Sequence, residues 1–369
     1  LRLTLSVDPA RYTLAQLEAR PGFDNLLAGL INYLEHFAAV VETQAERSEG
    51  LESCWQRSLE LLAGFRRWRA GDEAAKEGGE SGEGPGSVRW GEATTYSLQL
   101  NATPLAIGEI FRKQMSGHPR AWIFTSATLA VQKDFGHYCA EMGLVDAESA
   151  CWDSPFDYGN QAVLYAPQGL PEPNSPGFIE AVANAAFPVV KASGGRALCT
   201  SLRAMRRMHE LLQDKLEAAG LDYPLLLQGE GSKNELLERF RRLGNAILVG
   251  SQSFWEGVDV RGEALSLVVI DKLPFAPPDD PVLSARIERM NREGRNAFME
   301  YQLPRAVINV KQGAGRLIRD ETDRGVLMIC DPRLITKPYG KRVWRSLPPM
   351  KRTRELAEVI DFFEAGAMA

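Results

Sequence analysis

The chain has 369 residues, enough for two or three domains of ordinary size and a sizeable buried core. With 44% hydrophobic and 25% charged residues it is neither a disordered polyelectrolyte nor a collagen, and its apolar runs fall far short of the roughly 18 residues that cross a bilayer. Forty-three basic against 48 acidic residues leave a net charge of -5, so any nucleic-acid contact must come from local patches.

Leu1-Arg2-Leu3-Thr4 carries no basic flank followed by a sustained apolar core, so no secretory signal is expected, and the missing initiator Met suggests a piece of a longer polypeptide. From 24 to 41, apolar residues recur at Leu27, Leu30, Ile31, Leu34, Phe37, Ala38 and Val41, one face of a helix. Leu51, Cys54, Trp55, Leu62 and Phe65 trace a second. Two such helices joined by a short polar turn predict an antiparallel hairpin that packs on something else. Between 70 and 86, six Gly, five acidic residues and one Lys have nothing to bury, which predicts a linker or disordered loop. Its Asp72-Glu73-Ala74-Ala75 is no D-E-A-H box: a metal-binding carboxylate pair of that kind must end a buried strand, and 66–71 is not one.

Beyond the linker, short apolar runs alternate with stretches of helical period. Residues 121–124, 196–200, 246–249, 265–270 and 326–330 read as buried strands, and the alternation predicts an α/β fold, a parallel sheet with helices on both faces. Ser232-Lys233-Asn234-Glu235 reads as a capping box ahead of a helix over 233–243. Pro274, Pro277, Pro278 and Pro281 make the segment after Asp271 a stiff loop. The five cysteines and four histidines are dispersed without ligand spacing, so no disulfide framework or metal site is expected, and a reducing, cytoplasmic setting is the default.

Four strings can carry chemistry. Gln312-Gly313-Ala314-Gly315-Arg316-Leu317-Ile318-Arg319 falls inside a helical pattern over 303–319, where Gln312, Gly315, Arg316 and Arg319 share one face and two guanidiniums can meet one phosphate. A solvated basic helix face is the plainer alternative. The segment 250–259 comes directly after a strand, where ligands gather in an open α/β sheet. Its Gly257 and Ser253 let a phosphate approach, and Glu256 and Asp259 can orient an arginine or ribose; a tight glycine turn is the alternative. Thr125-Ser126-Ala127-Thr128 and Thr200-Ser201 each end a strand in hydroxyls, which bind phosphate oxygens or simply cap the next helix.

Together and in this order, these strings resemble the motifs of superfamily 2 helicases, specifically the iron-sulfur XPD and DinG family with its bacterial YoaA-like branch. Thr125–Thr128 resembles motif III, 198–201 motif IV, 250–259 motif V and 312–319 motif VI, and the resemblance runs from about 88 to 363. It implies a 5′ to 3′ ATP-dependent DNA helicase with nucleotide between two RecA-like lobes. By that resemblance Arg319 is the arginine finger, Arg316 a second γ-phosphate contact, and Gln312 and Asp259 belong to the nucleotide-coupling network with Gly315, Glu256 and Gly257. Thr200, Ser201, Arg203 and Ser253 would lie near single-stranded DNA, and Thr125, Ser126, Ala127 and Thr128 would couple the lobes.

The chain contains no G-x-x-x-x-G-K-[ST] loop, no D-E-A-H box and no four clustered cysteines. The resemblance therefore implies a C-terminal half. Residues 1–69 would be a helical remnant of the arch domain, 70–86 a linker, 87–150 the C-terminal part of the first motor lobe, and 151–369 the second. ATP and Mg²⁺ would bind with the missing lobe, and the iron-sulfur cluster would lie upstream. The partners implied are single-stranded DNA, the missing N-terminal lobe, and repair or replication proteins, with no membrane.

Independently of any family, 333–354 carries eight basic residues and no acidic one, with Tyr339 and Trp344 interleaved, the mixture that holds phosphates while stacking bases. Lys341, Arg342 and Arg345 are its centre, and Arg206 and Arg207 extend the track. Aromatics packed into the lobe, with charges left in water, are the alternative. The rival to a helicase fragment, inactive on its own, is a non-catalytic nucleic-acid-binding or protein-interaction module with a RecA-like fold.

Overall fold

The structure is a computed structural model that describes residues 2, 5, 10–71, 86–117, 120–200, 204–251, 254 and 264–367. Its elements in chain order begin with β1 (Ala10–Thr13), α1 (Leu14–Glu18), α2 (Phe23–Glu42), α3 (Glu49–Ala70), β2 (Ser87–Ala93), β3 (Leu98–Pro104), α4 (Gly108–Ser116) and α5 (Gly136–Met142). Then come α6 (Tyr158–Gln161), β4 (Ala162–Tyr165), α7 (Phe178–Ala192), β5 (Ala197–Thr200), α8 (Met205–Ala218), β6 (Leu225–Leu227), α9 (Lys233–Leu243), β7 (Ile247–Gly250) and β8 (Leu267–Ile270). The chain continues through α10 (Pro281–Arg292), a π-helical turn (Phe298–Gln302), α11 (Leu303–Ala314), β9 (Gly325–Ile329), α12 (Arg333–Thr336), α13 (Gly340–Ser346), β10 (Lys351–Thr353) and α14 (Leu356–Ala367). No helix among the described residues is long and apolar enough to cross a membrane.

These elements form two compact units, one of residues 1–122, 139–147 and 276–298, the other of 123–138, 148–275 and 299–369. In the first, β1, β2 and β3 make an antiparallel sheet. The predicted hairpin is α2 and α3, and the ion pair of Asp24 with Arg69 at 3.2 Å joins the start of one helix to the end of the other, as antiparallel packing requires. What the hairpin packs on is this sheet: Phe23, Leu27, Ile31, Leu62 and Trp68 share a core with Tyr12, Leu17 and Ala93. Trp68 Nε1 donates to the Asn101 carbonyl at 2.9 Å, which satisfies the indole inside that core.

In the second unit, seven strands run parallel in the order β10-β4-β9-β8-β5-β7-β6. Alternate residues explain the unbroken apolar strands. Val163, Cys199, Ile247, Val249, Val269 and Met328 join a core completed by α7, α8 and α14. Leu198 and Leu248 point the other way and meet Leu237 and Phe240 of α9. Both faces are covered, the condition under which an all-parallel sheet is found. The predicted capping box starts α9: Ser232 Oγ accepts from Glu235 N at 3.3 Å, and Glu235 Oε2 accepts from Ser232 N at 2.8 Å.

Four expectations change. Residues 121–124 form no strand; Trp122 is 44% and Ile123 82% exposed, and none of the described strands pairs with them, so the apolar run has no ladder to join. The helix expected through 319 stops at Ala314, with Gly315 as its C-cap, so Arg316 and Arg319 lie beyond it and share no helical face with Gln312. Residues 123–138, expected with the first motor lobe, group with the larger sheet, where His137 Nδ1 sits 3.1 Å from the Glu300 carbonyl oxygen. Residues 276–298, expected with the second, group with the smaller sheet. There Asp280 caps α10 through Val282 N (3.1 Å) and Leu283 N (2.9 Å) and pairs with Arg11 of β1 at 2.8 Å. Residues 72–85 lie outside the described residues.

Candidate functional site

The carboxyl ends of the parallel strands bring Thr200, Gly250, Asp271 and Asp331 to one edge of the sheet. Thr200 is 5% exposed and its Oγ1 donates to the Val269 carbonyl at 3.0 Å, so its hydroxyl proton is committed within the sheet. A Cβ on Gly250 would lie 3.0 Å from Phe254 Cδ2, and Ser251 N donates to Gln228 Oε1 at 2.6 Å. Phe254, 2% exposed, lines a small cavity with Leu198, Leu237, Phe240, Leu248 and Arg316, so the stem of that arginine borders apolar surface. Ser201, Arg203, Ser253, Glu256, Gly257 and Asp259 lie outside the described residues.

Gln312 is half-buried in the last turn of α11, and Gly315 is exposed. Arg319 comes next on a loop anchored by Leu317 and Ile318, 1% and 2% exposed. Burial pulls its guanidinium pKa below the usual arginine value; Asp323 opposes that shift and the like charge of Arg241 adds to it. The group keeps its charge nonetheless, because arginine does not deprotonate in proteins. A half-buried guanidinium with a second cation, Arg241, acting on it favours anionic oxygens, an attraction that the Asp323 carboxylate partly offsets.

Sequence reasoning missed Lys311, one residue before Gln312. Its Nζ donates to the Ala130 carbonyl at 2.9 Å, and burial lowers its pKa. It ties α11 to the turn that holds Thr125–Thr128, where Thr128 N donates to Ser126 Oγ at 3.2 Å and Thr125, Ser126 and Ala127 are exposed. The sequence offered no signal for it: Lys311 is one of two charges in an otherwise uncharged helix.

The basic tract divides in two. Asp331, with its side chain fully buried, holds Arg333 through Nε at 2.9 Å and Nη2 at 2.6 Å. The Arg333 guanidinium covers the Phe275 ring at 5.5 Å, and Phe275 meets Tyr339 edge-to-face at 5.9 Å. Arg352 covers Trp344 at 5.1 Å, and Arg207 pairs with Glu180 and Glu210, both at 3.2 Å. Both interleaved aromatics are therefore engaged inside the lobe rather than held ready to stack on bases. Lys337, Lys341, Arg345 and Arg354 remain exposed, and Arg342 half-exposed. Lys341 and Arg345 sit four apart on α13, hence on one face. Glycine at 340 lets the start of that helix approach α12 closely, since a Cβ there would overlap the Leu334 carbonyl oxygen.

Residues 187–350 match the helicase C-terminal domain family. The chain is 42% identical over 363 residues to ATP-dependent DNA helicase YoaA of Escherichia coli (strain K12), covering 98% of this chain and 55% of that one. It is 36% identical over 267 residues to ATP-dependent helicase DinG of Mycobacterium tuberculosis, covering 70% of this chain and 39% of that one. Residues 187–350 are thus a helicase C-terminal domain, and the chain as a whole is similar to the YoaA and DinG helicases. A solved XPD helicase structure covers 86% of this chain and 55% of its own at a TM-score of 0.50 and 15% identity, a likeness of fold that makes the seven-stranded sheet RecA-like. The chain spans about half the length of the curated relatives it matches.

Two groups implied by the XPD/DinG resemblance find no fit here. Beside Arg319 the Asp323 carboxylate is spent on backbone N–H groups, and among the described residues no three His, Cys, Asp or Glu side chains come together to hold Mg²⁺. The cysteines do not fit an iron-sulfur cluster: Cys54 and Cys151 are exposed, Cys139 is half-buried, and Cys199 and Cys330 are in the core. Burial, with the Asp271 charge adding, pushes the Cys199 thiol up to about 12 and raises Cys330 as well, which keeps both protonated and inert.

Proposed function

We propose that this chain is the second RecA-like lobe of an ATP-dependent 5′ to 3′ DNA helicase, together with parts of the arch and of the first lobe. It supplies motifs III to VI, while the phosphate loop, the D-E-A-H carboxylates, Mg²⁺ and the iron-sulfur cluster belong to the rest of the motor. The observation that carries the reading is Arg319, a desolvated and permanently charged guanidinium on an anchored loop. Such a group stabilises the charge that spreads over the equatorial oxygens of a transferring phosphoryl group. Arg316 is the second phosphate contact, and Gln312, Gly315, Glu256, Gly257 and Asp259 complete the nucleotide side. Lys311 adds a direct bond between the motif III turn and the motif VI helix, a route by which nucleotide state reaches the rest of the lobe.

Single-stranded DNA is the polymer that the exposed face of Lys341 and Arg345 suits, with the half-exposed Arg342 beside them; Thr200, expected near DNA, is buried with its hydroxyl spent on the Val269 carbonyl and is not part of that face, and Ser201, Arg203 and Ser253 enter the reading on the sequence pattern alone. Each phosphate contact on a single strand contributes about 0.7 to the slope of log affinity against log salt. A Lys341→Ala/Arg345→Ala variant should therefore flatten the slope by about 1.4, read by anisotropy of a labelled oligonucleotide. An unchanged slope removes these residues from the path. Binding by this chain alone should be weak and should strengthen when the other lobe and a nucleotide analogue are supplied. Tight binding indifferent to nucleotide would instead favour the non-catalytic binding module.

A further inference from the structure

Arg319 lies outside any helix, so its place depends on what holds the loop between α11 and β9. Two buried polar side chains do so. One oxygen of Asp323, a residue 9% exposed, accepts from the backbone N–H of Arg319 at 2.8 Å and of Asp320 at 2.9 Å. Gln161, 8% exposed at the end of α6, directs its Nε2 at the carbonyl oxygens of Asp320 (3.0 Å), Glu321 (2.9 Å) and Asp323 (3.1 Å). The side chains of Asp320 and Glu321 themselves are exposed. Just beyond Arg319, then, backbone donors are gathered by a buried carboxylate and backbone acceptors by a buried amide. Such groups would otherwise turn to water and let the loop wander. The Asp323 charge also offsets the repulsion between Arg319 and Arg241.

Resting on the reading of Arg319 as the finger, we infer that Asp323 and Gln161 are positioning residues, which act on ATP turnover only through the place they give that arginine. A guanidinium that stabilises a transferring phosphoryl group must be held to within about 0.5 Å, and a shift near 1 Å costs on the order of 10²-fold in rate. A residue that merely stabilised the lobe would lower its melting temperature without a selective effect on kcat.

The test is DNA-stimulated ATP turnover in the full-length polypeptide that contains this lobe. Asp323→Ala should lower kcat about 10²-fold while KM for ATP stays within about twofold. Asp323→Asn, whose Oδ1 still accepts, should recover about tenfold of that loss, and Gln161→Leu should lower kcat about tenfold. Adding Asp323→Ala to Arg319→Ala should change nothing further, because the finger through which it acts is gone. A further loss of about tenfold in that double variant overturns the inference, since Asp323 would then act independently of Arg319. Wild-type kcat in Asp323→Ala and Gln161→Leu, beside a crippled Arg319→Ala, overturns it alone and leaves the finger standing. Near-normal turnover in Arg319→Ala removes the finger and the inference together. Should Asp323→Ala fail to fold, Asp323→Asn and Gln161→Leu carry the same comparison.

Discussion

Arg319→Ala, made in a polypeptide that joins this lobe to a phosphate-binding lobe, should lower ATP turnover roughly 10³-fold or more with little loss of DNA binding. The side chain is half-buried, and burial already works against its charge. In such surroundings a cation acts on a developing anion with far less screening than water would impose. A 10³-fold loss corresponds to about 4 kcal/mol of transition-state stabilisation, within the reach of one well-placed charge. The exposed basic residues of α13 carry the DNA reading and lie on another element, so oligonucleotide affinity should be nearly unchanged. Steady-state turnover and anisotropy on the same preparations check both halves, and near-normal turnover would remove the assignment.

The largest effect on stability should come from Asp331→Ala. The Asp331 side chain is fully buried and accepts from Leu273 N at 2.7 Å, Arg333 N at 2.9 Å and the Arg333 guanidinium. Truncation leaves two backbone donors without their acceptor and a guanidinium, with 22% of its side chain exposed, without its counter-charge. Removing one partner of a buried ion pair costs about 3–5 kcal/mol, and the partial exposure of Arg333 puts this case at the lower end. For a unit of this size that is a fall of about 10 °C in melting temperature. Asp331→Asn keeps an acceptor and should fall less. A melting temperature within about 2 °C of the parent would show that the pair contributes nothing measurable.

What the sequence made legible was local. The Ser232 capping box, the two hairpin helices and the strands at β5, β7, β8 and β9 are written in short-range periodicity and side-chain chemistry, and they appear within a residue or two of where the pattern puts them. The end of α11 was hidden, because Leu303, Val307, Val310, Ala314 and Leu317 keep helical spacing past the point where the helix stops. The loop beyond Ala314 is arranged by Gln161, far away in the chain, and by the Asp323 carboxylate competing for the backbone. β4 was overlooked although 162–165 is uniformly apolar, whereas the polar edge strand β10 gave no sign of itself. The basic tract illustrates the same limit: composition counted Arg333 and Arg352 as free charges, and only three-dimensional contact shows them spent on Asp331, Phe275 and Trp344. Ser253, Glu256, Gly257 and Asp259 lie outside the described residues, so their proposed part rests on the sequence pattern.

We propose that Arg319 serves as the arginine finger of a motor whose phosphate loop lies elsewhere. ATP hydrolysis by this chain alone, with Mg²⁺ and single-stranded DNA present, should be measured in parallel with that of its Arg319→Ala variant. Neither should turn over ATP above background. Substantial turnover by the parent chain that Arg319→Ala abolishes would place a complete ATPase site in this chain and overturn the proposal.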